Sequence, residues 1–541
     1  MRRARSGRRV ALALGLGVPV VLLVALEFAL RAAGYGPAPR VRAGATPGGA
    51  APAVMGEAAL KLAPTHPVLR PDRDLGFALA AGFRAAPCYA GPYALSSWPW
   101  RGRPALPAPD DVLRVVVLGD SCAYGLGLDT ADTLAHRVAL HLEERGLPRE
   151  RVQVLNHGVP GHSLAQTARV LDDLLQRFDV HAVVLYVGAW NDQVLGSGGT
   201  DDSVLARIAA RTWIDDTAIA DLVTDWRDGG RGPDRRTRRV PASEVEPRVR
   251  ALLARARAAG AQPVVVLPAH RASTTAERPA LLEDRAAVRR AALADGAALV
   301  DAQACADTSG LPEHALFVDF VHPSPLLWER VTPKVAARLT ELLPPVRAAR
   351  DGGDAALRVV DVAPRSVTSL GGERVRVALA GLAPSDPPPV LVVGGAALLD
   401  VRREGDAEVS ALVPTNRPGT HDLLVQTAAG TSVARAALTL APPRLERTDA
   451  GLVVHARAGD RADVFVARGR VAGPMFTLPG AGELDLATLL AAPIQVAIGA
   501  DGSASVPLPP GASGAFAQAL IVPCGDEALV VQGRLTAAIE L

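Results

Sequence analysis

Residues 112–121 read VLRVVVLGDS, and this stretch decides the fold class. Its first seven residues contain four valines and two leucines, with Arg114 as the one polar residue. A short β-branched run without polar alternation is typical of a strand buried on both faces of a sheet. The run ends in Gly119, Asp120 and Ser121, which are residues that favour a turn. The stretch therefore predicts a strand of a parallel sheet followed by a polar turn.

Four similar runs follow, and amphipathic stretches separate them. The runs are RVQVLN, HAVVLYVG, QPVVVLP and ALVDA, and helices are predicted at residues 130–146, 163–178, 243–259, 278–294 and 325–343. Five buried strands joined by crossover helices specify a parallel sheet covered on both faces. The predicted fold class is therefore α/β, a three-layer α/β/α domain over residues 65–348, with a short lead-in segment at its start.

The composition bounds the protein class. A length of 541 residues suggests about three or four domains. Hydrophobic residues make up 49% of the chain and charged residues 21%, so most of it can bury a core. The net charge is +2, and five arginines among the first nine residues exceed it, which argues against a nucleic-acid partner. The four cysteines form no CxxC pair, which argues against a zinc site or a disulfide scaffold.

The N-terminus predicts membrane anchoring. Residues 1–9 are rich in arginine, and the run Val10–Leu30 is apolar except for Glu27. Such a run is about long enough to cross a bilayer, and the arginine cluster should stay cytoplasmic. We expect a signal anchor at residues 10–33 and a flexible linker at 34–64, with the rest of the chain outside the cytoplasm. Secretion after cleavage of a signal peptide is the alternative.

The pattern changes after residue 349. Residues 355–441 contain short alternating strands separated by Gly, Pro, Asn and Asp turns, which is typical of a β-sandwich. Residues 442–541 form a second β-rich stretch whose role the pattern does not reveal. We therefore predict two β-rich domains after the α/β domain.

Polar residues follow the predicted strands where each strand ends. In a parallel α/β sheet, ligands and catalytic groups gather beyond the carboxyl ends of the strands. The residues at these positions are Asp120 and Ser121, then Asn156, His157 and Gly158, then Asn191 and Asp192, and finally Asp319 and His322 before the last helix.

This set meets the requirements of acyl transfer. A serine hydroxyl becomes a nucleophile when a histidine, itself oriented by a carboxylate, takes its proton. Asp319 and His322 are three residues apart, so one turn can present both. The backbone N–H groups of Ser121 and Gly158 and the side-chain amide of Asn191 would supply an oxyanion hole.

The residues resemble the SGNH hydrolases, also called GDSL-type esterases, whose four blocks carry Ser, Gly, Asn and His in order. Here the blocks read GDSCAYGLG, LNHGVPGHSLAQ, GAWND and DFVHP. The resemblance covers about residues 114–343 and implies a flavodoxin-like sheet. It implies Ser121 as nucleophile, His322 as base, Asp319 as its orienting acid, and Gly158 and Asn191 as oxyanion donors. Asp120 and Asp192 are predicted to support the loops, and no cofactor or metal is expected.

Two further resemblances concern the flanking regions. The segments HPVLRPDRDLGF and YALSSWPWRG, with the anchor ending LEFALRAAGYG, are similar to the lead-in of membrane-anchored bacterial members of this family. The stretch from Leu357 to Leu440 resembles an IPT/TIG immunoglobulin-like domain. Such modules serve as spacers or binding units on surface proteins, and the resemblance names no ligand.

Several residues have simpler interpretations. We interpret His157, His162 and His270 as structural rather than pocket residues, and no HExxH or comparable ligand spacing predicts a metal. Cys122 is interpreted as a small packing residue, because Ser121 already occupies the position at the strand end.

The sequence thus predicts an extracytoplasmic serine esterase that hydrolyses an acetyl or short acyl ester, with an acylated glycan or envelope component as its possible substrate. Its partners would be that ester and, through the N-terminal helix, the membrane. The alternatives are an O-acyltransferase that acts on a glycan, and a non-catalytic surface or glycan-binding protein. A third alternative, a lipase, would need a lid, for which residues 203–226 are a candidate.

Overall fold

The computed structural model describes most of residues 69–79, 112–209, 236–344 and 357–467, short segments after residue 475, and Leu26 and Ala29. In chain order the first nine strands are β1 (Leu69–Asp72), β2 (Gly76–Leu79), β3 (Leu113–Gly119), β4 (Val152–Gly158), β5 (Ala182–Tyr186), β6 (Leu195–Ser197), β7 (Arg236–Arg238), β8 (Gln262–Leu267) and β9 (Ala298–Asp301). Strands β1 and β2 form one two-stranded sheet, and β6 and β7 form another.

A five-stranded parallel sheet forms the centre of the α/β domain. Its strand order is β4-β3-β5-β8-β9, and all four pairings are parallel. Strands β3, β4 and β5 are buried along their whole length. The predicted α/β class and all five predicted strands are confirmed, because runs of valine and leucine with no polar face require cover on both sides.

The helices lie between these strands. They are α1 (Ser121–Tyr124), α2 (Leu134–Glu144), α3 (Leu164–Arg177), α4 (Trp190–Gln193), α5 (Asp201–Ala209), α6 (Ala242–Ala258), α7 (Ala272–Glu277), α8 (Ala280–Ala294), α9 (Ala302–Asp307), α10 (Glu313–Leu316) and α11 (Pro325–Leu342). The helix predicted over residues 130–146 is shorter. Thr130–Asp132 form a separate 3-10 turn, and Thr133 caps α2 by accepting a hydrogen bond from the N–H of His136.

One helix ties the functional end of the domain to its core. Helix α11 buries Trp328, Val331, Val335 and Leu339 in the same hydrophobic cluster as the valines on one face of β3 and β5, which are Val115, Val117 and Val184. The Trp328 ring meets the Tyr186 ring edge to face, with ring centroids 5.8 Å apart. Because Tyr186 ends β5, this contact fixes the start of α11 against the carboxyl edge of the sheet.

A β-sandwich follows the α/β domain. Its strands are β10 (Arg358–Ala363), β11 (Ser366–Thr368), β12 (Arg374–Ala380), β13 (Val390–Val393), β14 (Ala396–Ala397), β15 (Leu399–Arg403), β16 (Glu408–Leu412), β17 (Gly419–Thr427) and β18 (Gly430–Ala441). They form one sheet in the order β10-β12-β16-β15 and a second in the order β11-β18-β17-β13-β14. Alternate residues of both sheets, such as Val375, Val377 and Leu391, share one hydrophobic core. Apart from the parallel β11–β18 pair, the pairings are antiparallel.

The C-terminal region is also rich in antiparallel strands, as predicted. Its strands are β19 (Arg444–Thr448), β20 (Gly451–His455), β21 (Arg461–Ala467), β22 (Phe476–Leu478), β23 (Gly482–Leu484), β24 (Ile494–Ala497), β25 (Ser503–Val506), β26 (Phe516–Val522), β27 (Arg534–Leu535) and β28 (Ile539–Glu540). A separate hydrophobic cluster, which includes Val454, Val464 and Ile521, lies between its sheets.

The predicted anchor and linker lie outside the described residues, apart from Leu26 and Ala29. Within the part of the chain that the structure describes, no helix is long and apolar enough to span a membrane. The arginine-rich composition of residues 228–239 is typical of a solvated loop, but the last of these residues is not exposed to solvent. Arg239 is buried and binds Asp201 at the start of α5, with a shortest distance of 2.8 Å.

The burial of α11 predicts that two leucine-to-alanine substitutions, one in α11 and one in α8, differ in their effect on stability. Leu339→Ala removes a fully buried side chain of α11 and should lower the free energy of unfolding by about 2–5 kcal/mol. Leu293→Ala in α8, where the leucine is 63% exposed, should change it by less than about 0.5 kcal/mol. Urea unfolding of the two variants tests this, and equal effects would contradict the placement of α11.

Candidate active site

Ser121 lies at the point of the sheet where a binding site is expected. It follows β3, whose two neighbours, β4 and β5, lie on opposite sides. Ligands of open α/β sheets bind beyond the carboxyl ends of strands at such a reversal of strand order. Gly119 is paired with both Gly158 and Tyr186, so the three strand ends lie level. A Cβ on Gly119 would lie 2.3 Å from the Tyr186 carbonyl oxygen, so this close approach requires glycine.

The predicted serine, histidine and aspartate are brought together in one hydrogen-bonded chain. His322 Nε2 lies 2.8 Å from Ser121 Oγ, and His322 Nδ1 lies 2.6 Å from Asp319 Oδ2. With Nδ1–H donating to the carboxylate, Nε2 is left to accept the serine proton. Ser121 and His322 are only 8% and 9% exposed, so the pair is shielded from most competing water.

A closed turn holds Asp319 and His322 in this arrangement. The N–H of Val318 donates to the His322 carbonyl oxygen at 2.8 Å, and Phe317 pairs with Pro323 in an isolated β-bridge. Asp319 Oδ1 accepts the N–H groups of Val321 and His322, both at 2.9 Å. The turn leads directly into α11, so the position of His322 is tied to a helix that packs into the hydrophobic core.

Electrostatics keep Asp319 charged. Burial alone would raise its pKa, but the hydrogen bond and charge of His322 and the two backbone amides outweigh burial, so the pKa lies below its ordinary value. An ionised Asp319 orients the imidazole and stabilises the imidazolium that forms when Ser121 loses its proton.

Asp120 and Asn191 form a second hydrogen-bonded pair beside the nucleophile. Asp120 Oδ1 caps α1 by accepting the N–H of Cys122 at 2.9 Å, and Asp120 Oδ2 accepts Asn191 Nδ2 at 3.0 Å. Burial raises the pKa of Asp120 above its ordinary value, while the Cys122 amide, His322 and Asn191 act in the opposite direction. Because an amide nitrogen carries two hydrogens, this bond uses one of them and leaves the second for another acceptor. Asp120 therefore orients the side chain that was predicted as an oxyanion donor.

Gly158 lies in direct contact with the nucleophile helix. A Cβ at this position would lie 2.3 Å from the Tyr124 nitrogen and 2.7 Å from the Ala123 carbonyl carbon. Its N–H donates to Asn156 Oδ1 at 3.0 Å, and Asn156 Nδ2 donates to the Tyr124 carbonyl oxygen at 3.3 Å. The amide predicted as an oxyanion donor is thus engaged by Asn156. Its role toward an oxyanion stays a prediction.

Asp192 ties the Asn191 loop to the neighbouring helix. Its Oδ1 accepts the N–H of Leu164 at 2.6 Å, at the start of α3. A carboxylate at a helix N-terminus is stabilised by the unpaired amides and the helix dipole. Asp192 therefore has the loop-supporting contact that its position predicted.

Cys122 takes part in a contact that sequence reasoning missed. Its Sγ donates to the Val321 carbonyl oxygen at 3.6 Å, which links α1 to the turn that carries His322. Burial, together with the charges of Asp120 and Asp319, raises its pKa well above the ordinary value. The thiol therefore stays protonated, and Ser121 remains the only nucleophile at this strand end among the described residues.

His157, His162 and His270, which the sequence analysis interpreted as structural, are all buried. Burial, with a smaller effect of Arg177, lowers the pKa of His157 to about 3, and burial with Arg285 lowers that of His270 to about 4. The backbone N–H of His270 donates to Gln303 at 2.8 Å, and that of His162 donates to the Val159 carbonyl at 3.0 Å. Within the described residues, no group of three or more His, Cys, Asp or Glu side chains is arranged to hold a metal.

The close packing at Gly158 predicts a loss of activity on adding one methyl group. Gly158→Ala must displace α1, and a shift of about 1 Å in Ser121 costs on the order of 100-fold in kcat/KM. Gly405→Ala is the matched control, because its Cβ would meet nothing within 4 Å. Ester hydrolysis by the two variants checks the prediction, and full activity of Gly158→Ala would contradict the packing.

The depressed histidine pKa values predict acid sensitivity. Between pH 6.5 and about 4, His157 and His270 bind protons in the unfolded chain but stay neutral in the folded protein. The free energy of unfolding therefore decreases as the pH falls. Each histidine contributes up to about 1.4 kcal/mol per pH unit. The pH dependence of urea unfolding should be shallower in His270→Gln. An unchanged slope in His270→Gln would contradict the assignment.

Solved structures with a similar α/β region include several esterases. An α/β hydrolase from the metagenome of Lake Arreo is 18% identical, covers 43% of this chain and 97% of its own, and gives a TM-score of 0.31. A lipase/acylhydrolase from Enterococcus faecalis is 18% identical over 44% of this chain and all of its own, with the same TM-score. An acetylxylan esterase from Geobacillus stearothermophilus is 18% identical over 44% and 97%, with a TM-score of 0.29. No curated protein matches the chain.

A family model gives the assignment. Residues 117–326 match the model of the GDSL-like Lipase/Acylhydrolase family. The matched region begins within β3 and ends just after His322, so it contains every residue of the hydrogen-bonded chain described above. This part of the protein is therefore a GDSL-type lipase/acylhydrolase domain, a serine hydrolase that acts on ester bonds.

Proposed function

We propose that the protein hydrolyses an acetyl or other short acyl ester on a polysaccharide or another envelope component. The observation that carries the proposal is the hydrogen-bonded chain from Ser121 through His322 to Asp319, with distances of 2.8 and 2.6 Å. These distances place the serine hydroxyl within hydrogen-bond reach of its base, and the base within reach of its orienting carboxylate.

The reaction proceeds through an acyl-enzyme. Ser121 Oγ attacks the ester carbonyl carbon while His322 Nε2 takes the hydroxyl proton, and Asp319 stabilises the imidazolium. The oxyanion accepts hydrogen bonds from the Ser121 N–H and the second amide hydrogen of Asn191, and the Gly158 N–H joins them when it exchanges Asn156 Oδ1 for the oxyanion. His322 then gives its proton to the leaving alcohol, and a water activated by the same histidine releases the acid.

The surface near the site favours a short acyl group. Among the described residues, the large hydrophobic side chains that are exposed are Leu26, Leu282, Leu293, Phe320 and Val360. Only Phe320 of these five belongs to the segment that carries the triad, so they form no broad apolar surface around Ser121 for a long acyl chain. The lid considered for residues 203–226 lies mostly outside the described residues, and α5 forms its start.

The location is proposed from the N-terminal sequence. The arginines in residues 1–9 and the apolar run that follows support an anchor with the catalytic domain outside the cytoplasm, where envelope esters occur. The β-sandwich at 355–441 would act as an IPT/TIG-like spacer or binding unit. Its two sheets around one core are compatible with this role.

The triad predicts the effect of removing the nucleophile. Ser121→Ala in the full-length chain should lower kcat/KM for p-nitrophenyl acetate about 10³-fold or more. Ser243→Ala, an exposed serine of α6, is the matched control and should retain wild-type activity. Equal rates for wild type and Ser121→Ala would contradict the proposed nucleophile.

The acyl preference is measured with the same proteins. We expect kcat/KM to fall from p-nitrophenyl acetate to butyrate to octanoate. A preference for octanoate would overturn the short-acyl proposal. Faster transfer of acetyl to a sugar acceptor than to water would replace hydrolysis with acyl transfer by the same residues.

A further inference from the structure

Two aromatic rings adjoin the catalytic residues but take no part in the chemistry described above. Trp190 directly precedes Asn191, and Phe320 directly follows Asp319. Their ring centroids are 4.8 Å apart in an edge-to-face arrangement. Phe320 is 37% exposed and Trp190 is partly exposed, so the pair presents apolar surface to solvent. Each ring is thus fixed within a few residues of the reacting centre.

A cation completes this group. The Arg278 guanidinium lies over the Trp190 ring, 4.0 Å from its centroid. A guanidinium held over an indole by a cation–π contact can still donate its N–H groups to a further partner. Arg278 is exposed and makes no ion pair with any residue that the structure describes. It is therefore a positioned cation with unused donors.

The three side chains are held together by the backbone around them. Thr274 Oγ1 in α7 donates to the Phe320 carbonyl oxygen at 2.7 Å, which fixes α7 to the turn that carries the triad. Arg278 is the residue that follows α7, and its N–H donates to the Thr274 carbonyl oxygen at 3.0 Å. The aromatic pair and the cation thus belong to one connected surface beside the site.

We propose that Trp190, Phe320 and Arg278 form a binding subsite for the acidic sugar ring that carries the ester. The C–H groups of a pyranose ring pack on the negatively charged face of an aromatic ring. A carboxylate on that ring accepts two N–H groups of Arg278 in a bidentate pair. This inference rests on the proposed function, and it narrows the substrate to an O-acylated uronic acid within a polysaccharide.

A purely apolar ligand fits these three side chains less well than an acidic sugar does. A long acyl chain would gain from the rings, but it would cover a cation that makes no ion pair with any described residue. A neutral sugar would use the rings and leave the guanidinium unused. A sugar that combines a ring face with a carboxylate uses all three side chains.

Binding is tested apart from catalysis in the full-length Ser121→Ala protein. The probe is the methyl glycoside of O-acetyl glucuronic acid, measured by titration calorimetry beside the corresponding O-acetyl glucoside. Adding Arg278→Gln should weaken binding of the uronide at least about tenfold, which is about 1.4 kcal/mol. Adding Arg257→Gln, an exposed arginine of α6, is the matched control and should not change it.

Turnover gives the second readout. In proteins that retain Ser121, the ratio of kcat/KM for the uronide to that for the neutral glucoside should fall at least about tenfold in Arg278→Gln and stay at the wild-type value in Arg257→Gln. Trp190→Ala should raise KM for both sugars. Salt should weaken the uronide preference, since an exposed ion pair is screened.

The results separate the two proposals. Suppose that the protein hydrolyses p-nitrophenyl acetate. If it then shows no preference for the uronide, or if the preference persists in Arg278→Gln, the subsite proposal is overturned and the proposed esterase function stands. If neither p-nitrophenyl acetate nor the acetylated uronide is hydrolysed, the proposed esterase function is overturned. Tenfold weaker calorimetric binding in the Arg278→Gln protein would still support the subsite, and unchanged binding would overturn it as well.

Discussion

Close backbone contact at the carboxyl edge of the parallel sheet is the constraint on which the site depends. Gly119 and Gly158 bring β3, β4 and β5 level, and a Cβ at either position would lie within 2.3 Å of backbone atoms. This contact places α1, and with it Ser121, directly over the neighbouring strands. The remaining groups of the site reach the serine because the sheet edge is this compact.

The turn that carries Asp319 and His322 lies near the C-terminal end of the α/β domain in sequence, but it packs at the same sheet edge as Ser121. Ser121 and His322 are 201 residues apart in the sequence. The contact between Trp328 of α11 and Tyr186 of β5 brings the segment that carries His322 to the sheet edge that carries Ser121. The Cys122–Val321 hydrogen bond joins the two segments a second time. A site assembled from such distant segments depends on the global fold, so loss of core packing in α11 would act directly on the position of His322.

Sequence patterns predicted the local elements well and the non-local contacts poorly. The five strands follow from unbroken runs of buried valine and leucine, and the triad follows from polar residues at strand ends. The start of α2 was misplaced, because Thr133 caps the helix and leaves Thr130–Asp132 as a separate turn. The roles of Asn156, Thr274 and Arg278 depend on tertiary neighbours, and no local pattern marks them. Trp190 and Phe320 were visible beside the motif residues, but only the fold shows that their rings meet.

The most direct test of the account is labelling of the serine with a fluorophosphonate, followed by mass spectrometry of the digested protein. The reagent reports whether His322 activates Ser121, without any assumption about the natural ester. We predict one adduct per chain, located on Ser121, and its loss in His322→Ala. Labelling at another residue, or equal labelling of Ser121 in His322→Ala, would contradict the assembled triad.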